Sequence, residues 1–232
     1  MAQNFTAEEA EKDRINAMGQ KLGRFYSLLV NECTLLHLQW AEFSELFGTN
    51  PERIRILNQS APGFFRMVQD RLWEVSLLHI ARLTDTSATF GKVGKENVTL
   101  LALPQVVDSA IRSEIEALVE VAERECRFAK DWRNRRIAHR DLKLALGGSA
   151  APLAAASRAS VKKALRAIAN VLNAVESHYM SAEVAYEWTL SNRGAKVLLH
   201  VLRDGIEARD ARHQRLRSGE PLPEDIKPKR PL

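Results

Sequence analysis

The chain contains the segment Asp131-Trp132-Arg133-Asn134-Arg135-Arg136-Ile137-Ala138-His139-Arg140-Asp141, which places four arginines, a carboxamide and a histidine within about three helical turns. Charge runs on helices are usually solvated faces. Here apolar side chains interleave with the arginines at Trp132, Ile137 and Ala138, which indicates that the segment is partly buried. Helical periodicity extends on both sides of this segment, which indicates that it belongs to a helical part of the fold.

Apolar residues recur at spacings of three and four on either side of the segment, which is the pattern of amphipathic helices. No alternating strand pattern of any length and no internal repeat is found in the sequence. We therefore expect an all-α fold, a bundle of about five to seven helices. The two flanking stripes consist of Ile111, Ile115, Leu118 and Ala122 before the segment, and of Val161, Leu165, Ile168, Leu172, Val175 and Tyr179 after it.

The N-terminal stripe predicts one long helix over residues 7–47, capped by Thr6. At about 1.5 Å per residue this helix would be about 60 Å long, which exceeds what a monomeric domain of this size usually needs. Two explanations stay open from the sequence. A bend at Gly19 or Gly23 would shorten the helix, and a dimer interface would use its full length.

The remaining stripes complete a single helical domain. Its predicted parts are the long helix, a core and a last helix with a basic end, and together they span residues 1–217. The tail contains four prolines and is predicted to be disordered. The boundaries are 62–181 for the core, 192–217 for the C-terminal helix and 218–232 for the tail.

Composition restricts the class of protein. A hydrophobic share of 45% and a charged share of 27% are typical of a soluble globular chain, and a net charge of +5 favours an anionic partner. Cys33 and Cys126 lie on apolar stripes and are predicted to be buried free thiols. The N-terminus is polar, and no apolar run approaches the ~20 residues that span a bilayer. We therefore expect a cytoplasmic protein without a membrane partner.

His79 occupies the next position on an apolar helix face that includes Phe65, Val68, Leu72 and Val75. A single histidine in such a place is usually a core residue with a satisfied ring, and we favour that interpretation. The alternative is that His79 lines the functional cleft.

Arg133-Asn134-x-x-x-x-His139 matches the Arg-x(4–6)-His signature, including the polar residue after the arginine, so the chain resembles the HEPN superfamily. The sequence at Leu78–Asp85 and at Trp132–Asp141 is similar to the AbiU-type abortive-infection branch, and the resemblance covers roughly residues 64–180. It implies an up-and-down helical bundle that forms a homodimer and places both signatures in one cleft. Many members are metal-independent endoribonucleases that act as toxins or phage-defence effectors.

The resemblance implies roles for individual residues. His139 would be the general acid/base, Arg133 would stabilise the transition state, and Asn134 would orient or bond the phosphate. RNA would be the partner and an antitoxin a further one, no metal or cofactor would be required, and the products would carry a 2′,3′-cyclic phosphate. The residues expected to hold the RNA backbone are Arg135, Arg136 and Arg140.

Helical geometry complicates this assignment. On a straight α-helix, six residues at about 100° each put Arg133 and His139 on faces about 120° apart. Either the helix is distorted near Arg133, or a partner chain completes the site. By spacing alone, Arg135 or Arg136 would be closer to the face of His139.

Other members of this superfamily are inactive or bind nucleotides. The alternative function is therefore a catalytically inactive helical module that binds RNA, a nucleotide or a protein partner. Such a module would share the basic face but would not need His139.

Overall fold

The all-α prediction is confirmed, because the described part of the chain consists of helices and turns without a β-strand. The computed structural model describes residues 6–48, 50–86, 97–138, 142, 146, 152–188 and 193–227. Within these ranges the α-helices are α1 (Ala7–Met18), α2 (Gln20–Phe47), α3 (Pro51–Ser60), α4 (Pro62–Leu83), α5 (Ser109–Trp132), α6 (Arg158–Met180), α7 (Arg193–Ser218) and α8 (Pro223–Ile226). Shorter helical turns are a 3₁₀ turn at Leu100–Gln105, a π-turn at Arg133–Ile137 and a second 3₁₀ turn at Tyr186–Trp188.

Backbone contacts divide the chain into two compact units. Unit 1 comprises Met1–Trp40 and Leu72–Thr189, and unit 2 comprises Ala41–Arg71 and Leu190–Leu232. The division falls within α2 and within α4. It is finer than the single domain predicted over residues 1–217.

The long helix predicted over residues 7–47 is two helices. Thr6 starts α1 with a capping box, in which its hydroxyl accepts from the Glu9 amide at 3.2 Å. Gly19 ends α1 with φ +79°, a conformation that costs glycine little and other residues more. A β-carbon on Gly23 would lie 2.6 Å from the Cα of Ile15, so α1 folds closely back on the start of α2. Of the two explanations left open by the sequence, the bend is therefore the one found, and it lies at Gly19.

A buried ion pair attaches α1 to α6 in unit 1. Arg14 Nε lies 3.4 Å from Glu176 Oε2, and both side chains are at most 10% exposed. The Arg14 guanidinium also lies 5.6 Å from the ring centroid of Tyr26, whose hydroxyl donates to the Leu172 carbonyl at 2.9 Å. A buried charge that loses its partner is strongly destabilising, so displacing α1 from α6 would be costly.

The core of unit 1 lies between α5 and α6, which pack along each other. Cys126 is buried on α5, and Cys33 is buried on α2, so both predicted free thiols are confirmed. Ser157 caps α6 by accepting from the Ser160 amide at 3.1 Å. The residues buried in this layer are Ile111, Ile115, Val119, Ala122 and Ala129 from α5, and Val161, Leu165, Ile168, Leu172 and Val175 from α6.

Unit 2 packs α3 against α7 and holds the start of the tail. The tail was predicted to be disordered from residue 218, but Pro223–Ile226 forms α8 on the surface of α7. Arg215 donates to both carboxylate oxygens of Asp225 at 2.8 Å, and the Asp225 side chain is only 3% exposed. The Arg215 hydrogen bonds lower the pKa of Asp225 to about 2. The paired carboxylate thus attaches this short helix to α7.

Candidate active site

The site lies in unit 1, where α5 ends in a π-turn. The Ala138 amide donates to the Arg133 carbonyl at 2.8 Å, which is a bond between residues i and i+5. Single π-turns inside helices are rare and occur frequently at functional sites. The helix is therefore distorted beginning at Arg133, which is one of the two alternatives that the spacing of the signature required.

Arg133 is held on two sides. Its Nη1 lies 2.5 Å from Asp85 Oδ2, and its Nε donates to Asn134 Oδ1 at 2.9 Å. The Arg133 side chain is 21% exposed, so the guanidinium is partly open to solvent. Two charge-assisted or polar contacts on a planar group fix its orientation and leave its other donors available.

Asp85 is itself fixed by the end of α4 and by the segment before the 3₁₀ turn. The hydroxyl of Thr99, which is fully buried, lies 2.7 Å from the Asp85 carbonyl oxygen and 3.1 Å from that of Leu83. The Asp85 amide donates to the Arg82 carbonyl at 3.2 Å. Residues 87–96 lie outside the described part of the chain. The Thr99 hydroxyl therefore connects the segment that follows them to the Leu83 and Asp85 carbonyls that precede them.

The segment before α6 is anchored to the same end of α5. Asp131 Oδ2 accepts from the Ala154 amide at 2.8 Å, and the Trp132 indole N–H donates to the Ala154 carbonyl at 2.9 Å. Arg135 Nη1 donates to the Pro152 carbonyl at 3.2 Å and lies 3.5 Å from Asp131 Oδ1. Asp131, Trp132 and Arg135 thus anchor the segment before α6 to the end of α5.

Arg136 has a different environment from Arg135. Its guanidinium lies 5.3 Å from the Trp132 ring centroid, and the residue is exposed. Trp132 in turn meets Trp73 edge-on, with ring centroids 6.5 Å apart, and Trp73 lies 6.1 Å from Trp40. The packed tryptophans support the Arg136 side chain through the Trp132 ring, while the Arg136 charge faces solvent.

A family model described as AbiU2, of the HEPN group, matches residues 19–198, which is most of the chain. The chain belongs to the AbiU2 family of HEPN proteins. Membership places it among HEPN proteins of the abortive-infection type, and the predicted resemblance is confirmed. The match extends beyond residues 64–180 and includes α2 and the first turn of α7. No curated protein and no solved structure matches the chain significantly.

The structure brings some of the predicted site residues of this AbiU2 chain together. Arg133 and Asn134 are in direct contact, and Arg135 and Arg136 lie on the same π-turn. Asn134 accepts from the arginine through its carboxamide oxygen, and its predicted role toward a phosphate stays a prediction. The predicted general acid/base His139 and the predicted RNA contact Arg140 lie outside the described residues.

Asp85 was not singled out from the sequence, although a signal for it exists. A carboxylate immediately after the C-terminal end of a helix faces the negative end of the helix dipole, which is unfavourable by about 0.3–1 kcal/mol. Asp85 follows the end of α4 at Leu83, and such a placement suggests a cationic partner from elsewhere in the fold. The sequence does not indicate that Arg133, among the arginines of the chain, is the partner of Asp85.

His79 pairs with Glu32 rather than with the signature residues described. Its Nε2 lies 2.6 Å from Glu32 Oε2, to which Arg82 also donates at 3.3 Å. The His79 side chain is 5% exposed, and burial lowers the pKa of its ring despite the neighbouring carboxylate. His79 is thus a buried histidine whose Nε2 forms a hydrogen bond with Glu32.

The described residues contain neither a metal-ion site nor a membrane-spanning helix. No group of three or more histidine, cysteine or acidic side chains there is arranged to hold a metal ion. None of the described helices combines the length and apolar character needed to cross a membrane.

Proposed function

We propose that this AbiU2 protein is a metal-independent endoribonuclease of the HEPN type that acts as a toxin or phage-defence effector. The observation that supports the proposal most is the fixed, partly exposed guanidinium of Arg133 at a π-turn, six residues before His139. An arginine held in this way is suited to a phosphate group, because its planar donors match phosphate oxygens.

RNA supplies the nucleophile for the proposed reaction. Its 2′-oxygen attacks the adjacent phosphorus, the bond from phosphorus to the 5′-oxygen breaks, and the products are a 2′,3′-cyclic phosphate and a 5′-hydroxyl. Arg133 stabilises the charge that develops on the phosphoryl oxygens. His139 moves a proton from the 2′-hydroxyl or to the leaving oxygen, since histidine has an ordinary pKa of about 6.5.

The neighbouring arginines bind the RNA backbone in this proposal. Arg136 fits that role best, because its exposed guanidinium is supported by Trp132. Arg140 is proposed as a second contact on the basis of the sequence alone. Arg135 contributes positive charge from a side chain that also anchors the Pro152 carbonyl.

Cleavage of a structured RNA in EDTA tests the proposed activity. We expect His139→Ala to lower the rate about 10²–10⁴-fold and Arg133→Ala about 10²–10³-fold, while EDTA leaves the wild-type rate unchanged. His213→Ala on α7 and Arg127→Ala on α5 are matched controls, since both residues are exposed. If His139→Ala cleaves as fast as the wild type, His139 has no part in the reaction.

A homodimeric cleft is part of the proposal, with each site using the arginine of one copy and the histidine of the other. Mixing Arg133→Ala and His139→Ala proteins and allowing exchange would then restore about a quarter of the wild-type rate. Half of the dimers formed at random are heterodimers, and each has one intact site. No recovery after verified exchange would mean that both groups of a site come from one copy.

The alternative is an inactive helical module that binds RNA, a nucleotide or a protein partner. The observation that favours this alternative is the Arg133–Asp85 ion pair. Such a pair can serve a structural role, because it connects the end of α5 to the end of α4. Expression separates the two functions. Toxicity that disappears in His139→Ala supports the enzyme, and an RNA ligand bound without cleavage supports the module.

A further inference from the structure

We propose that Asp85 is the positioning residue for the reaction, holding the Arg133 guanidinium so that its Nη2 amino group is directed at the scissile phosphate of RNA. This inference rests on the proposed endoribonuclease function. It assigns a role to a residue outside the Arg-x(4–6)-His signature, 48 positions before Arg133 in the chain.

The hydrogen bonds of Arg133 leave its Nη2 amino group without a partner among the described residues. The group carries five N–H donors in one plane. Asn134 takes the Nε donor and Asp85 takes one at Nη1, whereas no described residue bonds to Nη2. Because two points of a rigid plane are held, its Nη2 amino group has a defined direction before RNA arrives, and the orientation does not have to be fixed during the reaction.

Asp85 is mounted rigidly enough to serve this purpose. The buried Thr99 hydroxyl lies 2.7 Å from its carbonyl oxygen, and its amide bonds the Arg82 carbonyl at 3.2 Å. The side chain of Asn97 donates to the carbonyl of the next residue, Thr86, at 2.9 Å. The backbone around Asp85 is thus attached to α4 on one side and to the segment leading to the 3₁₀ turn on the other.

Stability alone does not explain this ion pair. Asp85 and Arg133 are 34% and 21% exposed, and pairs open to solvent typically contribute about 0–1 kcal/mol. The carboxylate also sits at the unfavourable end of the α4 dipole. Arg82, which is much closer in the chain, pairs with Glu32 instead. A carboxylate placed at some cost against an arginine at a π-turn is more consistent with orienting that arginine.

The proposal separates binding from cleavage. Asp85 is negatively charged and lies beside the expected phosphate position, so it does not favour RNA binding by charge. Its contribution is to orientation. Asp85→Asn should therefore slow cleavage at saturating RNA about 10- to 100-fold, while the Kd for RNA stays within about threefold of the wild type or becomes tighter. Asp85→Glu keeps the charge and should recover part of the rate.

Single-turnover cleavage of one RNA over a range of protein concentrations measures both quantities. Asp70→Asn is the matched control, because Asp70 lies on α4 in an exposed pair with Arg66. In an Arg133→Ala background, Asp85→Asn should have no further effect on the rate. Full additivity of the two changes would overturn the proposal, and so would a wild-type rate in Asp85→Asn. Thermal melting of each variant identifies any that fails to fold, and Asp85→Glu then carries the test.

A second readout does not depend on activity. The Nε–H signal of Arg133 in a ¹⁵N-labelled protein, assigned by its loss in Arg133→Lys, reports how firmly the guanidinium is held. We expect Asp85→Asn to accelerate solvent exchange of this signal and Asp70→Asn to leave it unchanged. If the wild type does not cleave RNA but the signal responds in this way, the proposed function fails and the positioning contact stands. If the wild type cleaves and neither rate nor signal responds, the positioning role is refuted.

Discussion

Arg135 and Arg136 are adjacent arginines that the sequence treats alike, and the structure predicts opposite consequences of replacing them. Arg135 donates to the Pro152 carbonyl at 3.2 Å and pairs with Asp131, with its side chain 23% exposed. Arg136 is exposed and lies on the Trp132 ring. We predict that Arg135→Ala affects mainly stability and Arg136→Ala mainly RNA binding.

The magnitudes follow from these contacts. Arg135→Ala removes the hydrogen bond to Pro152 and the partly exposed ion pair with Asp131, which together contribute about 1 kcal/mol and correspond to a fall in Tm of about 2–4 °C for a chain of this size. Arg136→Ala loses an exposed cation–π contact of about 0.5–1 kcal/mol and, if Arg136 binds RNA as proposed, one phosphate contact. Losing one contact to single-stranded RNA lowers the slope of log K against log salt by about 0.7.

The assay combines thermal melting with fluorescence anisotropy of a labelled RNA at several salt concentrations. The titration uses the His139→Ala background, which the proposed mechanism predicts to cleave RNA about 10²–10⁴-fold more slowly, and Arg127→Ala serves as an exposed control on α5. The reasoning is refuted if Arg136→Ala keeps the wild-type salt slope. It is also refuted if Arg135→Ala reduces that slope as much as Arg136→Ala does.

Three further predictions concern the scaffold. Arg14→Met leaves Glu176 buried without its partner and should destabilise the protein by about 3–5 kcal/mol, whereas the double change with Glu176→Leu should recover much of that loss in chemical denaturation. Burial lowers the pKa of His37 to about 4, so the unfolded chain binds more protons between pH 4 and about 6.5, and stability should rise with pH over this window. His37→Asn should flatten that rise by up to about 1.4 kcal/mol per pH unit, and an unchanged pH profile would contradict it. Asp225→Asn at neutral pH should accelerate amide exchange in α8 severalfold while leaving exchange in α5 unchanged.

Helical periodicity and caps predicted most of the secondary structure. The stripe of α6 and the capping box at Thr6 are local features, and local features are visible in a sequence. The break at Gly19 was not decided, because the apolar stripe continues across it and a glycine within a helix costs only about 1 kcal/mol. The contact that places α1, between Arg14 and Glu176, joins residues 162 positions apart and has no signature in the chain.

The candidate site was predicted in part for the same reason. Arg133 and Asn134 are neighbours, so the sequence showed them together. Asp85 lies 48 positions before Arg133 in the chain, and only folding reveals that it contacts the arginine. The π-turn was also not predictable in detail, although the spacing between Arg133 and His139 required a distortion or a second copy of the chain.

The most direct test of the proposed chemistry is a substrate change at the cleaved bond. Wild-type protein in EDTA is incubated with an RNA in which one nucleotide at a mapped cleavage site lacks its 2′-hydroxyl, and products are analysed by mass spectrometry. In the proposed mechanism the 2′-hydroxyl is the nucleophile, so the bond next to the deoxynucleotide should not be cleaved. Unmodified sites should still be cleaved and should leave 2′,3′-cyclic phosphate ends. Cleavage at the deoxy position, or products with 5′-phosphates, would contradict the mechanism.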